Sequence, residues 1–280
     1  MSGLLGPRDE MSAKAGRENF PVASRLLPRG VRSDLMAIYG FARLTDDIGD
    51  EAEGDRLALL DWLDDELELA ASGNAIHPVF QRLTPVIEAH QLSLEPFRAL
   101  IEANRVDQSV HRYQSFDDLV GYCMLSAAPV GQLVLAIFDV VSPTRIKYSD
   151  SVCIGLQLVE HLQDVAEDAH HGRIYLPLDD LAQFDCTEED LLAATSSAAL
   201  RELIAMEVLR ARELLSEGAP LTKSLPLLPR VAVAGFVAGG LAALDSIGRA
   251  SYDVLSVRCK PSKLGVARHM VREFAVASTK

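Results

Sequence analysis

Basic residues are scarce: 27 Lys and Arg stand against 40 Asp and Glu in 280 residues, a formal net charge of −13. A field this acidic repels phosphate backbones, which excludes non-specific nucleic-acid binding. It equally argues against a large polybasic membrane anchor. Cysteine is sparse too. Cys123, Cys153, Cys186 and Cys259 lie tens of residues apart with no C-x-x-C. That spacing leaves no zinc knuckle or redox pair and reads as buried thiols in a reducing compartment. Met1 to Arg17 lacks the apolar core of a secretory signal, so a cytoplasmic location is expected. Strand signals are nearly missing: only Ile174-Tyr175-Leu176 is suggestive, and Pro177 cuts it short. Neither an internal repeat nor a low-complexity linker is visible.

What is present is a folded, helical chain. With 49% hydrophobic and 24% charged residues it has the composition of a globular protein. Ser33-Asp34 precedes an apolar-periodic segment ending near Glu51. Ser115-x-x-Asp118 and Thr187-x-x-Asp190 have the spacing of capping boxes. Ser142-Pro143 opens a helix expected to run through Asp168, and Gly218 closes the helix expected to start at Thr187. The expectation is one all-α domain over 1–280, with residues 1–15 flexible and 261–280 as a C-terminal extension.

Two uncharged runs resemble membrane spans. Leu119 to Phe138 is long enough, but Gly121, Pro129 and Gln132 within it and the flanking Asp118 and Asp139 read as a helix inside a protein. Val231 to Leu244 reads as too short. Gly121, Ala127, Ala128, Gly131, Gly235, Gly239 and Gly240 lie on these apolar helices and leave room for a central apolar cavity between helices.

The chemistry is concentrated in carboxylates. Asp46 and Asp50 are four residues apart and share a helix face, about 6 Å apart along its axis. Glu160, Asp164 and Asp168 repeat that spacing as a ladder. Like charges at i,i+4 destabilise a helix by roughly 0.2–0.5 kcal/mol per pair, and acids near a helix C-terminus oppose its dipole. Residues 46–53 and 160–168 together hold nine acids and no Lys or Arg. Hard carboxylate oxygens in such arrays suit Mg²⁺, which commonly bridges a few carboxylates to substrate phosphates. Arg43, one turn before Asp46, and Arg173, after the second ladder, could bind phosphate oxygens or simply pair with neighbouring acids.

At these residues the chain resembles the squalene/phytoene synthase family. Asp46-x-x-x-Asp50 stands at the family's first aspartate motif. Gly155-x-Gln157-Leu158 through Asp164-x-x-x-Asp168, then Gly172-Arg173-x-Tyr175-Leu176-Pro177, resemble the second and its tail. Tyr39-x-x-x-Arg43, Asp107-Gln108 and Tyr122-Cys123 also fall at family positions. Glu18 to Pro28, Ser126-Ala127-Ala128-Pro129-Val130-Gly131 and Gly239-Gly240 are most similar to the hydroxysqualene synthase branch of bacterial hopanoid pathways. One departure is Glu160, where the family generally has Asn.

The resemblance implies an isoprenoid-synthase-type helical bundle that ionises presqualene diphosphate with Mg²⁺ and captures water, giving hydroxysqualene and diphosphate without NADPH. It implies metal ligands at Asp46, Asp50, Glu160, Asp164 and Asp168. It also implies substrate contacts at Asn19, Phe20, Arg43, Asp107, Ser126, Gln157, Arg173 and Tyr175. Tyr39 and Tyr122, with Phe20, are the aromatic faces it offers a cation; Tyr122, Ser126 and Gln132 are the polar groups beside the water. The alternatives are a presqualene diphosphate, squalene or phytoene synthase joining two prenyl diphosphates, a non-catalytic assembly protein on the same fold, and an acidic helical interaction module. Lipid substrate and product raise peripheral contact with the inner face of the membrane, or hand-over to neighbouring pathway enzymes. The basic stretch Arg258, Lys260, Lys263 and Arg268 reads as ordinary solvated charge.

Overall fold

The computed structural model of the chain describes residues 27–277. Asn19, Phe20 and residues 1–15 lie outside them. Among the described residues the chain is all-α, and it divides into two compact units.

The first unit comprises the described residues up to Ser109 together with Leu125–Ile146. It contains α1 (Arg29–Glu51), α2 (Arg56–Ala71), α3 (Pro78–His90), α4 (Glu95–Val106) and α6 (Ala128–Ile137). Helix α1 packs against all four others. Its buried positions, including Leu35, Ile38, Phe41, Leu44, Thr45 and Ile48, recur at three- and four-residue steps, the stripe that turns one helical face inward. Phe41 is fully buried and meets Phe80 and Phe97 edge-on, with centroids 5.7 and 5.1 Å away. Burying each ring contributes on the order of 2–3 kcal/mol. This stripe leaves Asp46 and Asp50 exposed. The helix begins four residues earlier than Ser33-Asp34 suggested, and Asp34 inside it pairs with His90 at 3.1 Å.

The second unit comprises Val110–Met124 and the described residues from Lys147 onward. Its helices are α5 (Phe116–Ser126, up to Met124), α7 (Pro143–Gln163, from Lys147), α8 (Val165–His170), α9 (Leu178–Gln183), α10 (Ala198–Gly218), α11 (Pro220–Ser224), α12 (Leu227–Arg249) and α13 (Lys263–Ala277). The Ser115–Asp118 box forms in both directions, at 2.9 and 3.2 Å. Three expectations need correction. The Thr187–Asp190 box also forms, but it starts a single 3₁₀ turn, Glu189–Leu192. The helix ending at Gly218 begins instead at Ala198, where the Ser197 hydroxyl caps Leu200 N–H. The run 119–138 breaks at Ala127, because Pro129 belongs in a first turn rather than a helix interior. The helix from Pro143 stops at Gln163, and α8 begins after a bend at Asp164.

Ile174 forms one parallel bridge with Arg112, the remnant of the weak strand signal. The C-terminal extension is helix α13, packed on α12. By length and composition alone Leu227–Arg249 could cross a membrane, as could Phe116–Ile137 were it not broken at Ala127, and about half of each is buried. Leu227–Arg249 exceeds the uncharged run because Arg230, Asp245 and Arg249 belong to the same helix. Gly240 leaves no empty room: a Cβ there would meet a Leu156 methyl at 2.6 Å, so α7 and α12 touch through it. All four cysteines are free and only Cys153 is half-exposed; burial pushes the Cys123 thiol up to about 12.

Candidate functional site

The first acidic end is built on α1. Asp46 and Asp50 project from its exposed face one turn apart. Asn104, buried on α4, donates its amide to Asp46 Oδ1 at 3.4 Å and to Leu100 O at 3.1 Å. Asn104 fits because residue 49 is glycine: a Cβ there would fall inside the Asn104 side chain. Gln108 bonds the Gly49 carbonyl at 3.1 Å. Arg56 returns its guanidinium to the same helix end, reaching the carbonyls of Ala52, Gly49 and Asp50 at 2.9–3.0 Å. It donates to carbonyls of the last helical turn, sharing that of Gly49 with Gln108, and places positive charge at the negative end of the helix dipole.

Water reaches Asp46, yet protein crowds it at longer range, and the resulting desolvation pushes its carboxyl up to about 6. The Asn104 bond opposes that rise and Asp50 adds to it. Arg43 lies 2.6 Å from Asp47 and 3.6 Å from Glu51. Burial works against its charge, but Asp47 and Asp46 outweigh burial and hold the guanidinium protonated. Its Nε is buried with no hydrogen-bond partner among the described residues. Tyr39 is half-buried on the same helix, and Asp107 sits at the end of α4.

Glycine at 49 gives a direct prediction. Gly49→Ala must displace Asn104 from Asp46, and overpacking of this kind costs about 1–3 kcal/mol. Thermal denaturation of Gly49→Ala beside Asn104→Ala checks it, because the double variant should lose less than the sum of the two.

The second acidic end lies in the other unit. Backbone bonds Asp164 N→Glu160 O (3.0 Å) and Asp168 N→Asp164 O (2.8 Å) continue across the bend, so the three acids keep their one-turn spacing although the helix does not. All three are half-buried. Desolvation raises the Asp164 carboxyl, Glu167 adds to that, and Arg258 opposes it.

The segment Gly172–Pro177 is fastened to residues 111–114. Ile174 N–H donates to His111 O, and Leu178 N–H to Tyr113 O. Arg112 grips the Gly172 carbonyl at 2.6 Å and both oxygens of Glu188 at 2.8 Å. This clamp holds Tyr175 in a four-ring cluster. Tyr175 stacks on His161 at 3.8 Å, Tyr113 stacks at 5.9 Å, and Tyr122 lies 5.8 Å away. His161 is pushed down to about 3 by desolvation. It is therefore neutral, with its Nε2 3.3 Å from the Gln157 side-chain amide nitrogen. His161, Asp168, Arg173 and Tyr175 line a recess with space for about one water.

Among the described residues no three His, Cys, Asp or Glu side chains converge as a ready-made metal cluster. The donor sets are one-turn pairs of carboxylates. That fits Mg²⁺ held by one or two carboxylates with the remainder supplied by water and substrate phosphate, and the unfilled Arg43 Nε fits a phosphate oxygen. Ser126 Oγ is likewise buried with no partner among the described residues, and Gln132 is half-buried. Sequence reasoning missed Asn104, Arg56, Arg112 and Tyr113. Only the paired charge of Arg56 and the motif acids, a few residues apart, offered a sequence signal for any of them.

An all-α chain with acid pairs at helix ends and an arginine donor beside one of them is the isoprenoid-synthase type of protein, and its structural neighbours share that fold. The family model for squalene/phytoene synthase matches residues 13–265, and the chain belongs to that family, whose members are enzymes acting on prenyl diphosphates. The crystal structure of squalene synthase HpnC from Alicyclobacillus acidocaldarius superposes with a TM-score of 0.80 at 39% identity, covering 89% of this chain and 98% of that one. Hydroxysqualene synthase of Zymomonas mobilis is 37% identical over 204 residues, 71% of this chain and 67% of its own length. Phytoene synthase of Arthrospira platensis is 34% identical over 268 residues, 86% and 83% respectively.

Proposed function

We propose that the protein is a hydroxysqualene synthase: it ionises presqualene diphosphate with Mg²⁺, lets the cation rearrange, and closes it with water to give hydroxysqualene and diphosphate. The observation that carries the phosphate chemistry is Arg43, charged and with a buried donor unfilled, one turn from the Asp46–Asp50 pair. The choice of branch is supported by 33–37% identity to three hydroxysqualene synthases and by the Ser126–Gly131 and Gly239-Gly240 segments.

In this reading Asp46 and Asp50 would serve as Mg²⁺ ligands, and so would Glu160, Asp164 and Asp168. Bound there, the metal would neutralise the diphosphate and draw charge onto the departing oxygen. Arg43 and Arg173 orient the diphosphate. Asn104 and Arg56 keep the first acid pair in place, and the Arg112 clamp does the same for Arg173 and Tyr175. Neutral His161 is too weak an acid to protonate the leaving group near pH 7, so this reading assigns departure to charge neutralisation. Tyr122 and Tyr175 present π faces to the cation. No reductant enters, because water supplies the last bond.

Phytoene synthase is the second reading, favoured by the Arthrospira platensis match over 86% of the chain. Product analysis separates the two. With presqualene diphosphate, Mg²⁺ and no NADPH in ¹⁸O-water, labelled hydroxysqualene is expected. Squalene, unlabelled alcohol or unconsumed substrate refutes the proposal. Farnesyl diphosphate alone should yield little product, whereas a condensing enzyme consumes a prenyl diphosphate supplied by itself.

A further inference from the structure

The net charge of −13 conceals a reversal at the C-terminal end. Residues 249–280 carry seven Lys and Arg but two acids, Asp253 and Glu273. Both acids are occupied inside the unit. Asp253 is buried and accepts from Ser196 N–H, Arg201 and Ser256. Glu273 is 3.4 Å from the Thr222 hydroxyl. Among the described residues, no negative side chain therefore remains on the outer face of α13.

The orientation of that helix is set by its inner contacts. Gly265 lies against Ala242, and His269 bonds Asp245 at 2.9 Å. Arg268 also reaches Asp245 while remaining largely exposed. The opposite face is ordered. Leu264 is 81% and Val271 69% exposed, and a step of about 100° per residue puts them roughly 20° apart around the helix. On the same count Lys263 lies about 80–100° to one side of this pair and Arg272 a similar angle to the other, with Arg268 between Leu264 and Arg272. All three bases are exposed, as is Lys260 just before the helix.

Two large apolar side chains, uncovered and flanked on both sides by bases, are costly to leave in water and complementary to one kind of surface. We infer that the outer face of α13 is a docking surface for an anionic lipid bilayer. Leu264 and Val271 enter the headgroup boundary, and Lys263, Arg268 and Arg272 meet lipid phosphates. The acidic remainder does not cancel this attraction, since fields are screened beyond about 8 Å at physiological salt. With only two apolar anchors, binding is reversible and salt-sensitive rather than permanent. Charge that looks ordinary in the sequence acquires this meaning from the two apolar neighbours between the bases.

The test uses the full chain without substrate, so it stands apart from the proposed reaction. Co-sedimentation with vesicles of phosphatidylglycerol and phosphatidylcholine should retain the protein, and pure phosphatidylcholine vesicles should not. Each base near an anionic surface accounts for about a 5-fold change in affinity, so Lys263→Gln with Arg272→Gln should bind about 25-fold more weakly. Leu264→Ser with Val271→Ser should weaken binding at unchanged charge. Circular dichroism confirms that each variant is folded. Equal binding to both vesicle types, no binding to either, or variants that bind as the parent does would each overturn the assignment; the second would leave a protein partner as the occupant.

Discussion

Asp46→Asn is expected to lower turnover of presqualene diphosphate by about three orders of magnitude while leaving the protein as stable as the parent or slightly more so. A ligand to a charge-neutralising metal contributes roughly 4 kcal/mol of transition-state stabilisation, which is a factor of about a thousand in rate. Stability moves the other way for a separate reason. Asp46 and Asp50 repel each other at i,i+4, at a cost of roughly 0.2–0.5 kcal/mol, and protein crowding already disfavours the charged Asp46 carboxylate. Asparagine removes both penalties and still offers Asn104 an acceptor. A residue kept for structure would lose stability and activity together; one kept for chemistry trades them. Steady-state rates and a melting curve on the same preparation decide it. Near-normal turnover, or a rate loss matched by a fall in melting temperature, would remove Asp46 from the metal set.

The acid pairs were legible because their spacing is local. Asp46 to Asp50 and Glu160 to Asp168 lie within three helical turns, and a helix's period alone places them together. Their surroundings were not legible, because these depend on contacts made across many residues. Asn104 lies 58 residues from Asp46, and Arg112 lies 60 from Gly172. No periodicity connects such positions. Helix boundaries failed for a related reason. The capping box at Thr187 formed as its residues require, but a box fixes only the first turn, and the length of the helix beyond it depends on the tertiary packing available. Here the chain leaves the 3₁₀ turn at Ala193 and begins afresh under the Ser197 cap. The bend at Asp164 carried no marker, since neither proline nor glycine stands there.

The largest expected loss of stability comes from a network that no local pattern marks. Arg210 on α10 binds both oxygens of Asp180 and lies 2.7 Å from Glu207, while its guanidinium stacks 4.5 Å from the Phe116 ring centroid. Asp180 and Glu207 are 5% and 3% exposed. Arg210→Met keeps the stem and removes the charge, leaving two buried carboxylates without their cation. Breaking a buried pair in this way costs about 3–5 kcal/mol, read as a fall of roughly 6–12 °C in melting temperature for a protein of this size.

The pH dependence identifies the cause. Burial, against the pull of Arg210, pushes Glu207 up to about 7, and Asp180 beside it adds to the rise. Between about 4.5 and 7 the folded state therefore holds a proton that the unfolded state releases, so stability falls as pH rises through that window. Without Arg210 the Glu207 carboxyl rises further, so the deficit of Arg210→Met should be smaller at pH 5 than at pH 8. Glu207→Gln should flatten the parent's slope over the same window and recover part of the loss when combined with Arg210→Met. A deficit equal at the two pH values would mean that lost packing over Phe116, not unpaired charge, is responsible. Because Asp180 comes after Tyr175-Leu176-Pro177 within one turn of α9, loosening this network should also loosen the segment that presents Arg173 and Tyr175. Arg210→Met should accordingly raise the KM for presqualene diphosphate at temperatures well below its melting point, and Glu207→Gln should reverse part of that rise.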